Sequence, residues 1–232
     1  PRLRRRREPN HRLDRHAPAG CVIGEPSGTT GVTIAYRGRL LLALSAADGG
    51  AHRSGDAGPL TATLLSAGSV IDRVMELDDP SRLVIDRPAA AVAAMAGEER
   101  EGRSARIEID VRLPLGADVE AWRADLSSRV REGVAVDCLD AVAAHSVGRS
   151  DAMARALAAG VRACGDRPAF LVKGGTADFN LAAGWGCPLA AYGPGDSRLD
   201  HTDEERLALA EFARSVAVLR AGLERFVGPG VS

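Results

Sequence analysis

Cys187-Pro188-Leu189-Ala190-Ala191-Tyr192-Gly193-Pro194-Gly195-Asp196-Ser197-Arg198-Leu199-Asp200-His201-Thr202 is the stretch on which the reading of this chain turns. Cys187 to Ala191 is a short run of small and apolar residues without alternation, the pattern of a strand buried on both faces. Gly193-Pro194-Gly195 then breaks it. Thr202 before Asp203-Glu204-Glu205 reads as a helix cap and an acidic first turn. Leu207, Leu209, Phe212, Val216, Leu219, Leu223 and Phe226 follow at helical spacing, so a long helix is expected over Asp203 to Phe226. Buried strand, Gly/Pro loop with a lone His, then amphipathic helix make an α/β unit. Loops held by such a scaffold are where α/β enzymes keep their chemistry.

Similar units lie elsewhere. Cys21-Val22-Ile23 reads as a buried strand that delivers Glu25 into the tight turn Gly24-Glu25-Pro26-Ser27-Gly28. Ala169 to Val172 reads as another strand buried on both faces, and Asp151 to Cys164 as a helix capped by Ser150 or Asp151. The middle of the chain has a different rhythm. Val32 to Ala46 alternates around Arg37-Gly38-Arg39 as a strand or hairpin, and Pro59 to Leu77 has helical spacing. Leu83 to Ala96 and Ser104 to Leu113 are strand-like, with Ile107, Ile109, Val111 and Leu113 at period two. Asp118 to Glu132 reads as a helix and Val134 to Val142 as a strand. The expectation is an α/β protein with a mostly parallel sheet. Its discontinuous α/β domain (1–32 and 146–232) is interrupted by an inserted α+β domain (33–145) with a half-exposed antiparallel sheet.

Composition narrows the class. A net charge of −1 over 232 residues gives no argument for nucleic acid or an anionic membrane. No apolar run approaches the roughly 20 residues of a membrane helix. Arg4-Arg5-Arg6-Arg7 is followed by no apolar segment, so no signal peptide is read and residues 1–18 are taken as a loosely packed start. Cys21, Cys138, Cys164 and Cys187 are scattered without zinc-finger spacing. They read as buried free thiols in a reducing cytoplasm.

Several residues could carry chemistry. Glu25, fixed between Gly24 and Pro26, is either a metal ligand or a turn carboxylate capping backbone amides. His201 is either a metal ligand oriented by Asp200 or a surface loop residue. Lys173-Gly174-Gly175-Thr176-Ala177-Asp178-Phe179-Asn180 combines two glycines that allow close approach with hydrogen-bonding side chains. It lacks the order of a phosphate loop, and a plain Gly turn is the alternative to a binding loop. His52 sits in a Gly-rich strand-to-helix loop, and Arg112 at a strand end would suit a carboxylate clamp; either could be merely solvated. His11, His16 and His145 read as incidental, and Ser27 is not in a nucleophile elbow.

Gly24-Glu25-Pro26-Ser27-Gly28, Tyr36-Arg37-Gly38-Arg39, His52, Val111-Arg112-Leu113-Pro114, Lys173 to Asn180 and Tyr192 to Ser197 with Asp200-His201-Thr202 occur in one order from Gly20 onward. In this they resemble the zinc-dependent metallo-exopeptidase and deacylase family of acetylornithine deacetylase and succinyl-diaminopimelate desuccinylase. The likeness is strongest to its branch that releases lysine or ornithine from an amino-group carrier protein, or deacetylates acetyl-lysine. The resemblance implies a zinc-peptidase-type α/β domain with an inserted lid that dimerises, and a cytoplasmic biosynthetic amide hydrolase. Two zinc ions, or cobalt, would serve it. The substrate would be a small N-acyl amino acid or the carrier-linked amino acid; no nucleic acid or membrane is involved. Glu25 and His201 would each bind a metal, and His52 would reach across the dimer to the carbonyl oxygen. Arg112, Gly174, Gly175, Thr176 and Asn180 would hold the substrate's carboxylate end. The family's His-x-Asp motif, bridging Asp and Glu-Glu pair precede its Gly-Glu-Pro segment; Pro1 to Gly20 hold no such pattern. The expectation is therefore a C-terminal portion, a partial catalytic domain without the general base and inactive alone. The alternative is a non-catalytic dimerisation or binding module derived from such an enzyme.

Overall fold

The computed structural model describes residues 18–49, 58–98, 102–200 and 202–228. They form two sheets with helices packed on them, a mixed α/β architecture. The first sheet is built around β2 (Gly31–Tyr36), every residue of which is buried. β2 pairs in parallel with β8 (Ala169–Lys173) and antiparallel with β7 (His145–Ser146) and β9 (Leu189–Ala191). β9 in turn pairs in parallel with β1 (Cys21–Ile23), which ends the strand order. The sheet is thus mixed rather than mostly parallel. β9 is buried throughout, as its all-apolar run predicts, but β8 is not, with Val172 42% exposed. β8 pairs with β2 alone, and an edge strand can be apolar without being covered.

A pair of helices and a third, short one pack on this sheet. α3 (Ala152–Ala163) and α5 (Leu209–Val227) bury Met153, Leu157, Val161 and Val218 against Val32, Ile34, Ala190 and Tyr192. Asp151 caps α3, accepting from Met153 N at 2.9 Å and Ala154 N at 3.2 Å. The same oxygen accepts from Leu189 N at 3.2 Å, so the cap also fixes the start of β9. The short α4 (Asp178–Ala182) packs Phe179 with Tyr36, Leu189 and Ala191. α3 and α5 touch backbone to backbone. A Cβ on Gly160 would lie 2.4 Å from Val218 O and 2.8 Å from Gly222 N.

The second sheet is antiparallel, in the order β4 (Ala89–Glu98), β5 (Ser104–Leu113), β3 (Gly38–Ala47), β6 (Ala135–Val142). Leu40, Leu42, Leu44, Ile107, Ile109, Val111 and Leu113 turn to one face and pack on α1 (Gly58–Glu76) and Leu126 of α2 (Val119–Ser127). The other face carries Arg39, Ser45, Arg106, Glu108, Asp110 and Arg112 beside Leu41 and Ala43, so the antiparallel sheet read from period two is present. Among the described residues no helix is long and apolar enough to cross a membrane.

Several boundaries move. Residues 33–36, assigned to the insert by pattern, belong to the first sheet. β2 and β3 form no hairpin; the chain passes from one sheet to the other at Arg37. The return passage at Ala143-Ala144 lies against it, since a Cβ on Gly38 would be 2.5 Å from Val142 O and 2.6 Å from Ala144 N. β4 begins after Pro88, which has no N–H for a ladder; Val84–Asp86 is a 3-10 turn instead. α2 ends at Ser127, well short of Glu132. α5 begins at Leu209, not Asp203, because Thr202 folds back: its N–H and hydroxyl both donate to Leu199 O, at 3.1 and 2.7 Å. The four cysteines are free, and half-buried rather than buried.

His145 packs its ring 5.7 Å from that of Phe179, and burial holds its pKa below the usual 6.5. The unfolded chain therefore binds a proton at higher pH than the folded one. Stability is full above pH 6.5 and falls as pH drops through the lower folded-state pKa. Urea melts across this window are expected to lose that slope in His145→Phe. Gly160→Ala is expected to lower stability by about 2 kcal/mol, seen as a lower urea midpoint with unchanged slope, because the methyl would strike backbone that cannot yield alone.

Candidate functional site

Glu25 follows β1 in a turn stitched to the loop after β9. Tyr192 N and Glu25 N both donate to Ile23 O, at 2.9 and 3.0 Å. Ser27 N donates to Gly193 O at 2.9 Å and Gly28 N to Gly195 O at 3.0 Å. The approach is close enough to require glycine: a Cβ on Gly193 would lie 2.8 Å from Glu25 O. Gly195 adopts φ +96°, and its N–H donates to Glu211 Oε1 of α5 at 2.9 Å. The two loops wall a cavity of about 630 Å³ that includes Glu25, Asp196, Asp200 and Glu205 among its lining residues, with Leu207 and Leu219 on the α5 side. Arg206 lines the cavity with them, and Asp196 is ion-paired to Arg198.

Lys173 joins this turn to the rest of the site. Its Nζ donates to Pro26 O at 2.7 Å and to Ser197 Oγ at 2.5 Å. Burial lowers its pKa, opposed by the charges of Asp200, Glu25 and Asp196. One ammonium thus holds the turn of Glu25 and the loop leading to His201 together, inside an acidic surround. Tyr36, its register partner on β2, feels the same field. Burial first, and the charge of Glu25 second, push its phenol up. Asp196 is drawn down to about 2 by the Arg198 guanidinium and its backbone N–H.

Immediately after Lys173, the Gly174 to Asn180 loop meets the second sheet. Arg112 at the end of β5 donates from Nη1 to Thr176 Oγ1 at 3.2 Å and from Nη2 to Asp110 Oδ2 at 3.1 Å. The same Asp110 oxygen accepts from Arg39 Nε at 3.0 Å. Arg37 Nε donates to Gly174 O at 2.7 Å. A Cβ on Gly174 would press on Arg37 Nη2 at 3.1 Å, whereas one on Gly175 would meet nothing. Burial, then the neighbouring charges of Arg112 and Arg87, lower the pKa of Arg37. Arg37 and Arg112 place two guanidiniums at this end of the site, with Arg112 ion-paired to Asp110. Asn180 is differently placed. Its Nδ2 reaches Ala143 O at 2.9 Å, Arg37 O at 3.2 Å and Tyr36 O at 3.4 Å, and its Oδ1 accepts from Ala177 N at 3.1 Å. Its polar atoms are engaged by backbone at both passages between the sheets.

The structure therefore brings Glu25 to one end of the Lys173 joint and Arg112, Gly174, Gly175 and Thr176 to the other. His52 and His201 lie outside the described residues. Among the described residues no three His, Cys, Asp or Glu side chains converge to hold a metal ion. These described residues alone do not make a metal centre. Lys173 and Arg37 were not singled out individually from sequence. Their signal was present: a Lys ending an apolar strand beside glycines, and an Arg between two strand patterns.

This fold is that of known peptidases and amidases. The di-peptidase Dug1p of Saccharomyces cerevisiae superposes with a TM-score of 0.71 at 14% identity, covering 95% of this chain and 63% of that one. The aminopeptidase PepT of Bacillus cereus gives 0.66 at 17% identity over 89% and 56%. In sequence the chain is homologous to part of the LysW-lysine and LysW-ornithine hydrolases. It is 35% identical to the LysW-lysine hydrolase of Deinococcus radiodurans over 229 residues, 93% of this chain and 62% of the relative. A Thermococcus kodakarensis protein, provisionally described as a LysW-lysine/LysW-ornithine hydrolase, is 33% identical over 93% and 58%. The chain thus spans about three-fifths of the length of these relatives. No protein-family model matches.

Lys173→Met removes both hydrogen bonds of the joint. Amide exchange of residues 193–200 is expected to quicken about tenfold, with Lys173→Arg restoring part of the protection. Mass-spectrometric exchange at peptide resolution measures it.

Proposed function

We propose that this chain is part of a metal-dependent amide hydrolase that releases lysine or ornithine from an amino-group carrier protein or a related N-acyl precursor in cytoplasmic amino-acid biosynthesis. The observation that carries this is the 35% identity to a LysW-lysine hydrolase along 93% of the chain. The two sheets with their helices correspond to a partial catalytic domain and an inserted lid, with Arg37 at the outward passage.

In this reading Glu25 and His201 each donate to a metal ion, zinc or else cobalt. Bound there, such ions polarise an amide carbonyl and acidify water. The other ligands and the general base come from polypeptide not represented among these 232 residues. The chain's own residues act on the substrate. Arg112 binds the carboxylate end, which competes with Thr176 Oγ1 for Nη1, while Asp110 keeps the guanidinium in place. Gly174 and Gly175 let that end approach the backbone. Lys173 keeps this pocket in register with Glu25. His52 serves the carbonyl oxygen across a homodimer formed by the lid, as an oxyanion donor. Asn180 supports the pocket from beneath rather than touching substrate.

The test is a chimera in which this chain replaces the matching part of the Deinococcus radiodurans hydrolase. It is expected to release lysine from the lysine-loaded carrier and to stop when chelator is added. Glu25→Ala and His201→Ala are expected to be inactive. Arg112→Ala is expected to lower kcat/KM by about 10- to 100-fold, mainly through KM. The chain by itself is expected to release nothing. A folded chimera with no lysine release, or chelator-insensitive release, would refute the proposal.

A further inference from the structure

Arg37 is half-buried where the chain leaves the first sheet, and among the described residues it makes no ion pair. Its neighbours do. Arg39 and Arg112 pair with Asp110, and Arg87 pairs with Asp78 at 2.7 Å. Arg37 instead donates from Nε to Gly174 O at 2.7 Å and from Nη1 to Arg87 O at 3.0 Å. Two hydrogen bonds to backbone fix the plane of its fork, and Nη2 is left without an acceptor among the described residues. The charges of Arg112 and Arg87 act on it more strongly than that of Asp78. A charge withdrawn from water among charges of its own sign is one that lacks its counter-ion.

Nη2 borders space that the sequence leaves open. A Cβ on Gly174 would lie 3.1 Å from it and 3.3 Å from Val84 Cγ2, and glycine puts nothing there. Arg112 reaches the same loop from the second sheet, with Nη1 3.2 Å from Thr176 Oγ1. Residues 174 and 176 are two apart, which the chain spans by at most about 7 Å. One carboxylate bridges such a gap when each of its oxygens takes a charge-assisted hydrogen bond. We propose that Arg37 is the second arm of the carboxylate pocket: its unspent Nη2 takes one oxygen of the substrate's carboxylate while Arg112 takes the other. Arg37 then sets specificity, because an amide or ester at that end brings no charge and leaves one guanidinium unmatched. The proposal rests on the hydrolase reading for the substrate, an amino-acid conjugate with a free carboxylate; the unpaired charge of Arg37 does not depend on that reading.

The test uses two probes that differ only at that end, Nα-acetyl-lysine and Nα-acetyl-lysinamide. In the 232-residue chain carrying isotope-labelled arginine, the Nε–H resonances of both Arg37 and Arg112 are expected to shift with the first probe and not with the second. In the chelator-treated chimera described above, which binds without cleaving, the carboxylate is expected to be preferred about 100-fold, about tenfold for each arm. Arg37→Gln is expected to cut that preference about tenfold, and Arg37→Lys, which keeps the charge but not the fork, to restore part of it. A bracing role alone weakens both probes equally and leaves their ratio intact. The resonances need no variant, so they decide the matter even if Arg37→Gln fails to fold. An Arg37 resonance that ignores the carboxylate probe, a ratio unmoved by Arg37→Gln, or binding of neither probe overturns the proposal. Failure of the hydrolase reading is a separate result: both resonances shift and the preference holds, yet the untreated chimera releases no lysine.

Discussion

The chain crosses between its two sheets twice, at Arg37-Gly38 and at Ala143-Ala144, and one buried amide holds both crossings. Asn180 donates to the carbonyls of Tyr36, Arg37 and Ala143, while its own oxygen accepts from Ala177. Gly38 is the only residue type that fits where the outward passage presses on the return. Unsatisfied carbonyls at such a junction would cost more than any single surface ion pair contributes. The position of the Gly174 loop, and so of everything that faces Arg112, depends on this brace. Thr176 adds to it, donating its hydroxyl to Arg37 O at 2.8 Å.

Charge is laid out along the site with opposite signs at its two ends. Glu25, Asp196, Asp200 and Glu205 line one cavity, and Arg37 and Arg112 face the Gly174 loop. Lys173 sits between them and is hydrogen-bonded into the acidic side. In the proposed reading, this layout would let the site hold a carboxylate while an amide nearby is cleaved. Asp110 serves the same layout. One of its oxygens takes hydrogen bonds from both Arg39 and Arg112, and the guanidinium of Arg112 is thereby aimed at Thr176.

Much of this was legible in the residues themselves. β9 was read from its unbroken apolar run and β5 from its period of two, because burial on both faces and burial on one face leave different patterns. Helix α1 was legible through its apolar stripe, and α3 through a cap at Ser150 or Asp151, of which the structure uses Asp151. The misses share a cause. Residues 33–36 look like part of a continuous alternation with β3, and nothing local marks that the strand changes sheet at Arg37. Thr202 has the chemistry of a cap but spends its hydroxyl on Leu199. β8 is as apolar as a central strand but lies beside β2 alone. Asn180 was assigned to the substrate through the resemblance, yet its partners are carbonyls 37 and 143–144 residues away in the chain.

By itself, the sequence determined the α/β class, the order of the motifs, the kinship they indicate and the candidacy of Glu25 and Arg112, since these rest on local pattern and residue chemistry. Only the tertiary structure decided which strands share a sheet, that Lys173 joins the Glu25 turn to the loop before His201, and that Asn180 is a brace. It also revealed that, among the described residues, Leu209, Phe212 and Val216 of α5 stay exposed. These are matters of which distant segments meet, and contact between distant segments is set by packing and by the pairing of buried polar groups rather than by any local signal.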